Sequence, residues 1–185
     1  MSRKREQILR RAEQEFLVYG YVGTSIDSIV KDIGGSKSTV YAHFSDKTVL
    51  FAEAITDIRR EFDFSLPRSL AVDAEDPGVR LELAVVEFLT MIYRERAIHL
   101  FRLVISEANR FPEVAHQYWH EGPVRSLDRL AEIIGSRDTA VLLFNMLMGE
   151  RYHRVVLALD PIPDPEQIVS IARYAIATAA QGSNK

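Results

Sequence analysis

The stretch Gly34–Phe51, GGSKSTVYAHFSDKTVLF, gathers Lys37 and Lys47, a run of hydroxyl side chains, Tyr41 and His43 within eighteen positions. Side chains of these types hydrogen-bond to phosphate oxygens and to base edges. If a helix starts after Ser36, a rotation of about 100° per residue puts Val40 and Phe44 on one inward face. Ser38 and Ala42 then point outward, with Thr39 and Tyr41 on the flanks. Such small outward residues let a helix approach base edges closely, where hydroxyls hydrogen-bond and a methyl touches thymine. Tyr41, His43, Lys47 and the first-turn donors at Thr24 suit phosphate oxygens, and helix N-termini add positive dipole.

Other constellations carry less. His116 and His120 stand i, i+4 on an expected helix with Glu121 adjacent, close enough to share a metal, but no third ligand is identifiable. Two surface histidines near a bend at Gly122-Pro123 is the simpler reading, and no metal or cofactor is expected. Glu107 lies near Arg110, yet the chain has no Gly-rich phosphate loop, no nucleophile elbow and no cysteine. An enzyme is not expected. Aromatic and flexible apolar side chains (Tyr93, Phe101, Tyr118, Trp119, Phe144, Met148 and Tyr152) could line a ligand cavity, with Arg102 and Asn145 available to orient a polar group. At helical spacing most of these would be plain core.

Helices must position these residues, because strand signals are nearly absent. Ile8, Ala12, Phe16 and Tyr19 form one stripe of an amphipathic helix over 5–19, which Gly20 stops. Thr24 offers a cap to a second helix, with Asp27 as an imperfect capping box, and Ile26, Ile29, Val30 and Ile33 line its face. Gly34 and Gly35 end it. Ser36 caps a third helix to about Phe44, and Ser45 or Asp46 caps a fourth from Lys47 to Phe64. Two short helices joined by a glycine turn make a helix-turn-helix.

The stretch ILRRAEQEFLVYGYVGTSIDSIVKDIGGSKSTVYAHFSDKTVLF, from Ile8 towards Ala54, resembles the first four helices of TetR/AcrR transcriptional regulators. Ala12, Phe16, Gly20, Gly23-Thr24-Ser25, Gly34, Ser36, Lys37, Thr39, Tyr41, His43, Phe44 and Lys47 carry the match. The resemblance implies that Lys37, Ser38, Thr39, Tyr41, Ala42, His43 and Lys47 face DNA, and that Thr24, with Ser25 beside it, meets phosphate. Gly35 stands where Val or Ala is frequent, and Ile33 where Ala is usual.

Pro67, Pro77, Gly78 and several acids in SLPRSLAVDAEDPG mark a connection to a separate helical body. Five helices are expected there, over 78–94, 97–109, 112–134, 138–159 and 165–180, which makes about nine in an all-α chain. The segment LFRLVISEANRFPEVAHQYWHEGP resembles the effector domain of AefR-like regulators. The expected division is a DNA-binding domain over 1–46 and an effector-binding and dimerisation domain over 47–185, with helix 47–64 joining them. Ile168, Ile171, Ala172, Ala175, Ile176 and Ala179 form an apolar stripe, and AVLLFNMLMG is apolar on nearly every side. With Val141, Met148 and Val155 they are the expected interface of a homodimer, whose two-fold axis would place two reading helices on a pseudo-palindrome.

Charge distribution agrees. Up to Leu50 there are eight Lys and Arg against six Asp and Glu, which leaves fifteen against twenty in the remainder of a chain of net charge −3. A mildly basic head on an acidic body suits a polyanion at one end. The charged N-terminus and the lack of any long apolar run point to a cytoplasmic protein. The expected function is a repressor that binds operator DNA and is released by a small, mainly apolar effector. An activator of the same fold is the alternative, with a helical metal-binding protein or enzyme behind it.

Overall fold

The computed structural model describes residues 2–62 and 76–182. Most of the sequence SLPRSLAVDAEDPG, read above as a connection, lies outside these residues. All regular structure among the described residues is helical: α1 (Arg3–Gly23), α2 (Ile26–Ile33), α3 (Lys37–Tyr41), α4 (Lys47–Glu61), α5 (Pro77–Ile92), α6 (Glu95–Glu107), α7 (Pro112–Trp119), α8 (Arg125–Ile134), α9 (Arg137–Leu147), α10 (Glu150–Val156) and α11 (Pro165–Gly182).

The chain folds into two compact units. The first takes in 2–62 and 99–118, and the second 76–98 and 119–182. In packing terms α4 therefore sides with the N-terminal helices instead of opening a second domain at residue 47. Its Leu50, Phe51, Ala54, Ile55 and Ile58 are buried, as are Ile8, Ala12 and Phe16 of α1, against which it packs. Arg10 fastens the two helices from outside, its Nη1 lying 2.5 Å from Glu61 Oε1 and 3.6 Å from Asp57 Oδ2.

Local chemistry explains most helix ends. Gly20 leaves helical conformation with φ 69° and ψ −179°, so α1 kinks there and runs on to Gly23. The cap of α2 is Ser25, not Thr24: Ser25 Oγ accepts from Ser28 N–H at 3.0 Å, and Ser28 Oγ accepts in turn from the Ser25 N–H at 3.3 Å. Lys4 reaches over the other end of α2 and donates to the carbonyls of Ile33 and Gly34 at 2.8 and 2.7 Å, a cation where the helix dipole is negative. Asp46 caps α4 by accepting from Val49 N–H at 2.9 Å.

In the second unit α9 lies against α8 and α11, and α5 against α8 and α11. The helix expected over 112–134 is continuous only through a π-helical stretch, His120–Val124, that absorbs Pro123. The one expected over 138–159 is two helices. Met148 ends α9, and Gly149 turns extended at ψ −154° before α10 begins.

Candidate nucleic-acid interface

The turn between α2 and α3 is made by two glycines. Gly35 sits at φ +131°, a region that side chains avoid, and a Cβ there would lie 3.2 Å from Thr39 Oγ1. A Val or Ala at this position would need a different turn. Ser36 then begins α3, its N–H donating to Thr39 Oγ1 at 3.3 Å while its hydroxyl lies 2.6 Å from that of Ser38. The helix closes at Tyr41, shorter than the run to Phe44 expected from periodicity, although Phe44 N–H still bonds back to Val40 O at 3.0 Å.

Val40 and Phe44 are buried, and the guanidinium of Arg5 lies over the Phe44 ring at 4.6 Å. Outward on the same turns lie Lys37, Ser38 and Ala42, all exposed, with Tyr41 48% exposed and Thr39 and His43 half-buried. Lys37 is not a free cation: its Nζ pairs with Asp27 Oδ2 at 2.9 Å, and hydrogen bonding to that carboxylate raises the lysine above its ordinary range. Sequence reasoning missed this α2–α3 clasp, though Asp27 on the first turn of α2 was visible as a charge.

Thr24 departs from expectation. It is only 2% exposed, and its hydroxyl donates to Gly20 O at 2.8 Å, which braces the kink and turns the side chain away from solvent. Its neighbour Ser25 is the exposed residue at that helix start.

Lys47 begins α4 beside an aromatic cluster. Its Nζ lies 4.3 Å from the centroid of the Tyr21 ring. Tyr21 in turn packs edge-on against Phe51 and Phe111, at 5.3 and 4.7 Å between centroids, and its hydroxyl lies 3.1 Å from Thr48 Oγ1. Burial, then the nearby charge of Arg110, holds the Lys47 ammonium below the usual lysine range. The face of the Tyr21 ring holds this half-buried side chain in place.

The aromatic residues expected to line a ligand cavity divide between the two units. Phe101 and Tyr118 stack at 6.1 Å in the first, where burial pushes the Tyr118 phenol far above its ordinary range. In the second, Tyr93 meets Tyr152 edge-on at 5.7 Å and Phe144 meets Phe88 at 5.8 Å. Arg102 and Met148 are half-buried. Trp119 and Asn145 are exposed, because the turns that carry them face outward, so neither lines an interior. The Tyr93 hydroxyl is buried without a hydrogen-bond partner.

The stripe expected at a dimer interface is largely used within one chain. Val155, Ile168, Ala172, Ala175 and Ala179 are buried by intrachain packing, while Val141, Met148, Ile171 and Ile176 are half-buried. What α9 and α11 leave outside is Leu142 (45% exposed), Met146 and Tyr174 (72% exposed). Among the described residues no group of three or more His, Cys, Asp or Glu gathers, and no helix is long and apolar enough to cross a membrane.

Comparison with known proteins agrees with this geometry. Residues 8–54 match the pattern described as bacterial regulatory proteins, tetR family, and residues 80–181 that of the AefR-like transcriptional repressor C-terminal domain. The HTH-type transcriptional regulator YdgC of Bacillus subtilis (strain 168) is 34% identical over 84 residues, covering 44% of this chain and 43% of that protein. The match thus spans less than half of that relative. Among solved structures, a TetR-family regulator from Mesorhizobium loti MAFF303099 superposes with a TM-score of 0.80 at 23% identity, over 96% of this chain and 95% of the other. The flavonoid-responsive regulator FrrA superposes at 0.74 with 25% identity, over 97% and 96%. A helix-turn-helix with a small outward face, followed by an AefR-like body over more than half its length, makes this chain a member of the TetR family of transcriptional regulators.

Proposed function

We propose that this regulator is a repressor that binds a pseudo-palindromic operator as a homodimer and releases it when a small, mainly apolar or aromatic effector enters the second unit. The observation that carries the DNA reading is the face of α3. Ser38 and Ala42 stand exposed over a buried Val40–Phe44 floor, so α3 and the turn that closes it offer small side chains to base edges. Lys37, Thr39 and Tyr41 flank that face, and His43, Lys47 and Ser25 serve the phosphates. Thr24 acts there only indirectly, by fixing the kink that precedes Ser25.

Repression is favoured by the AefR-like repressor pattern over 80–181. Dimerisation is favoured by the exposed apolar side chains Leu142 and Met146 of α9 and Tyr174 of α11, which a second copy would cover. The effector reading rests on Tyr93, a buried phenol with no partner, set beside Tyr152. A ligand with an aromatic or aliphatic body and one hydrogen-bonding group would satisfy it. A flavonoid-responsive structural relative is consistent with that class. The ligand releases DNA only if it binds the released state more tightly.

Selection of bound fragments from a random duplex library, at near-physiological salt, tests the reading. Recovery of a two-fold symmetric motif is the expected result. Enrichment of an asymmetric motif would remove the dimeric operator, and activation of a reporter by that motif would reverse the sign.

A further inference from the structure

The ring of Tyr21 carries two cations. Lys47 Nζ lies 4.3 Å from its centroid and the Arg110 guanidinium carbon 5.4 Å from it. Arg110 lies outside the helix-turn-helix and outside the stretch 8–54 that matches the DNA-binding pattern, in the short connection between α6 and α7. It is nevertheless held in place: its Nε is 3.3 Å from Glu107 Oε2, while Glu107 Oε1 accepts from the Tyr21 N–H at 3.2 Å. One carboxylate therefore serves an amide and a guanidinium, and the fold keeps two like charges together over one ring. Their repulsion contributes to the lowered range of the Lys47 ammonium. The Arg110 side chain is still 53% exposed, so its outer nitrogens are open to solvent.

A bare i, i+3 pair of Glu107 and Arg110 would be ordinary surface decoration worth little. What sets this one apart is the second cation at the same ring. Lys47 is the first residue of α4, a helix of 15 residues whose amide ends add positive potential at that point. Two cations gathered at one ring, one held by its face and one by a carboxylate, suit the phosphates of a nucleic-acid backbone. Binding a polyanion there relieves the repulsion that the free protein carries.

We propose that Arg110 is a DNA-backbone contact acting beside Lys47, so that the footprint on the operator extends beyond the helix-turn-helix to the connection between α6 and α7. This rests on the DNA reading above. Arg110 adds affinity without base preference, because phosphate contacts position and do not specify.

The test is the salt dependence of binding by the full chain to the duplex recovered by selection, for wild type, Arg110→Gln, Arg110→Lys, Lys47→Ala and Glu107→Gln. Arg110→Gln is expected to weaken binding about tenfold, to lower the slope of log affinity against log salt by about one, and to leave the preferred sequence unchanged. Arg110→Lys should restore the slope. Lys47→Ala should give the same kind of loss, and Glu107→Gln, which removes no cation, should keep the slope. An unchanged slope in Arg110→Gln, with the thermal midpoint of wild type, overturns the proposal. Weaker binding at unchanged slope overturns it too, because Arg110 would then act only by holding Tyr21. A wild-type dimer that binds no duplex at any salt sinks the DNA reading itself and this proposal with it.

Discussion

The backbone N–H of Tyr21 donates to Glu107 Oε1 at 3.2 Å, across 86 positions of sequence. The bond exists because Gly20 leaves helical conformation, which turns the next amide out of α1 and towards the end of α6. A Cβ on Gly20 would meet Glu107 Oε1 at 3.6 Å, an ordinary contact, so space is not the constraint. The constraint is φ 69° with ψ −179°, a region open essentially to glycine alone. Gly20→Ala should therefore cost about 1–3 kcal/mol in urea unfolding. Wild-type stability in that variant would mean that α1 runs straight at no cost.

Phe51 touches Phe16 edge-on at 5.1 Å and Phe111 at 4.7 Å, besides Tyr21, and is 1% exposed. It joins α1, α4 and the segment after α6 in one aromatic core. Phe51→Ala should lose about 3–5 kcal/mol, from transfer and from the cavity left behind. A loss below about 1 kcal/mol in denaturant titration would show that the cluster is dispensable.

The carboxylate of Asp46 is held below the usual range chiefly by the Val49 N–H it accepts. With a lowered folded pKa, its contribution is present above the unfolded value of about 3.9 and disappears as pH falls through the lower folded one. Asp46→Asn keeps a capping oxygen without a charge. Thermal midpoints of the two proteins should differ in favour of wild type at neutral pH and converge in acid below that range. A gap that persists unchanged at the most acid pH would show that charge plays no part in this cap.

Ala42 stands exposed in the turn that closes α3. Ala42→Glu should leave the thermal midpoint unchanged and weaken operator binding by at least about tenfold, since a carboxylate is pushed towards phosphates and base edges. Thr39→Ala should relax base preference. Gel-shift titration with operator and scrambled duplexes reads both, and full affinity in Ala42→Glu would move the reading face elsewhere.

Leu142 is exposed on α9 while its neighbours Leu143 and Phe144 are buried. If the proposed homodimer forms through this face, Leu142→Arg should raise its dissociation constant by at least about tenfold in sedimentation velocity, because a guanidinium would be buried between copies. An unaltered dimer would place the two-fold axis on another face.

Much of the head was legible in the residues. The alternation of apolar stripes with Gly20, Gly34-Gly35 and Asp46 located α1 to α4, because helix periodicity and caps are local properties that a chain of ten to twenty residues settles by itself. The inward phase of Val40 and Phe44 followed from rotation alone. Two nearby errors are also local in origin: Thr24 and Ser25 are both good caps, and periodicity carries no stop signal at Tyr41. The break at Gly149 was hidden because the apolar run on both sides reads as one helix.

Sequence by itself thus determined the helical class, the helix-turn-helix and which side of the reading helix faces inward. Tertiary structure decided the rest. Whether Ile168 or Ala175 faces a partner or its own chain depends on which apolar face of α11 is covered by α9 and α5, and an apolar stripe looks the same in either case. The ring of Tyr21 acquired Lys47 from one element and Arg110 from another, 63 positions apart, and only the packing of Phe51 and Phe111 against that ring brought them together. Spacing along a helix fixes neighbours within a turn or two; charges gathered from separate helices meet only when burial of the apolar surface beneath them has chosen the fold.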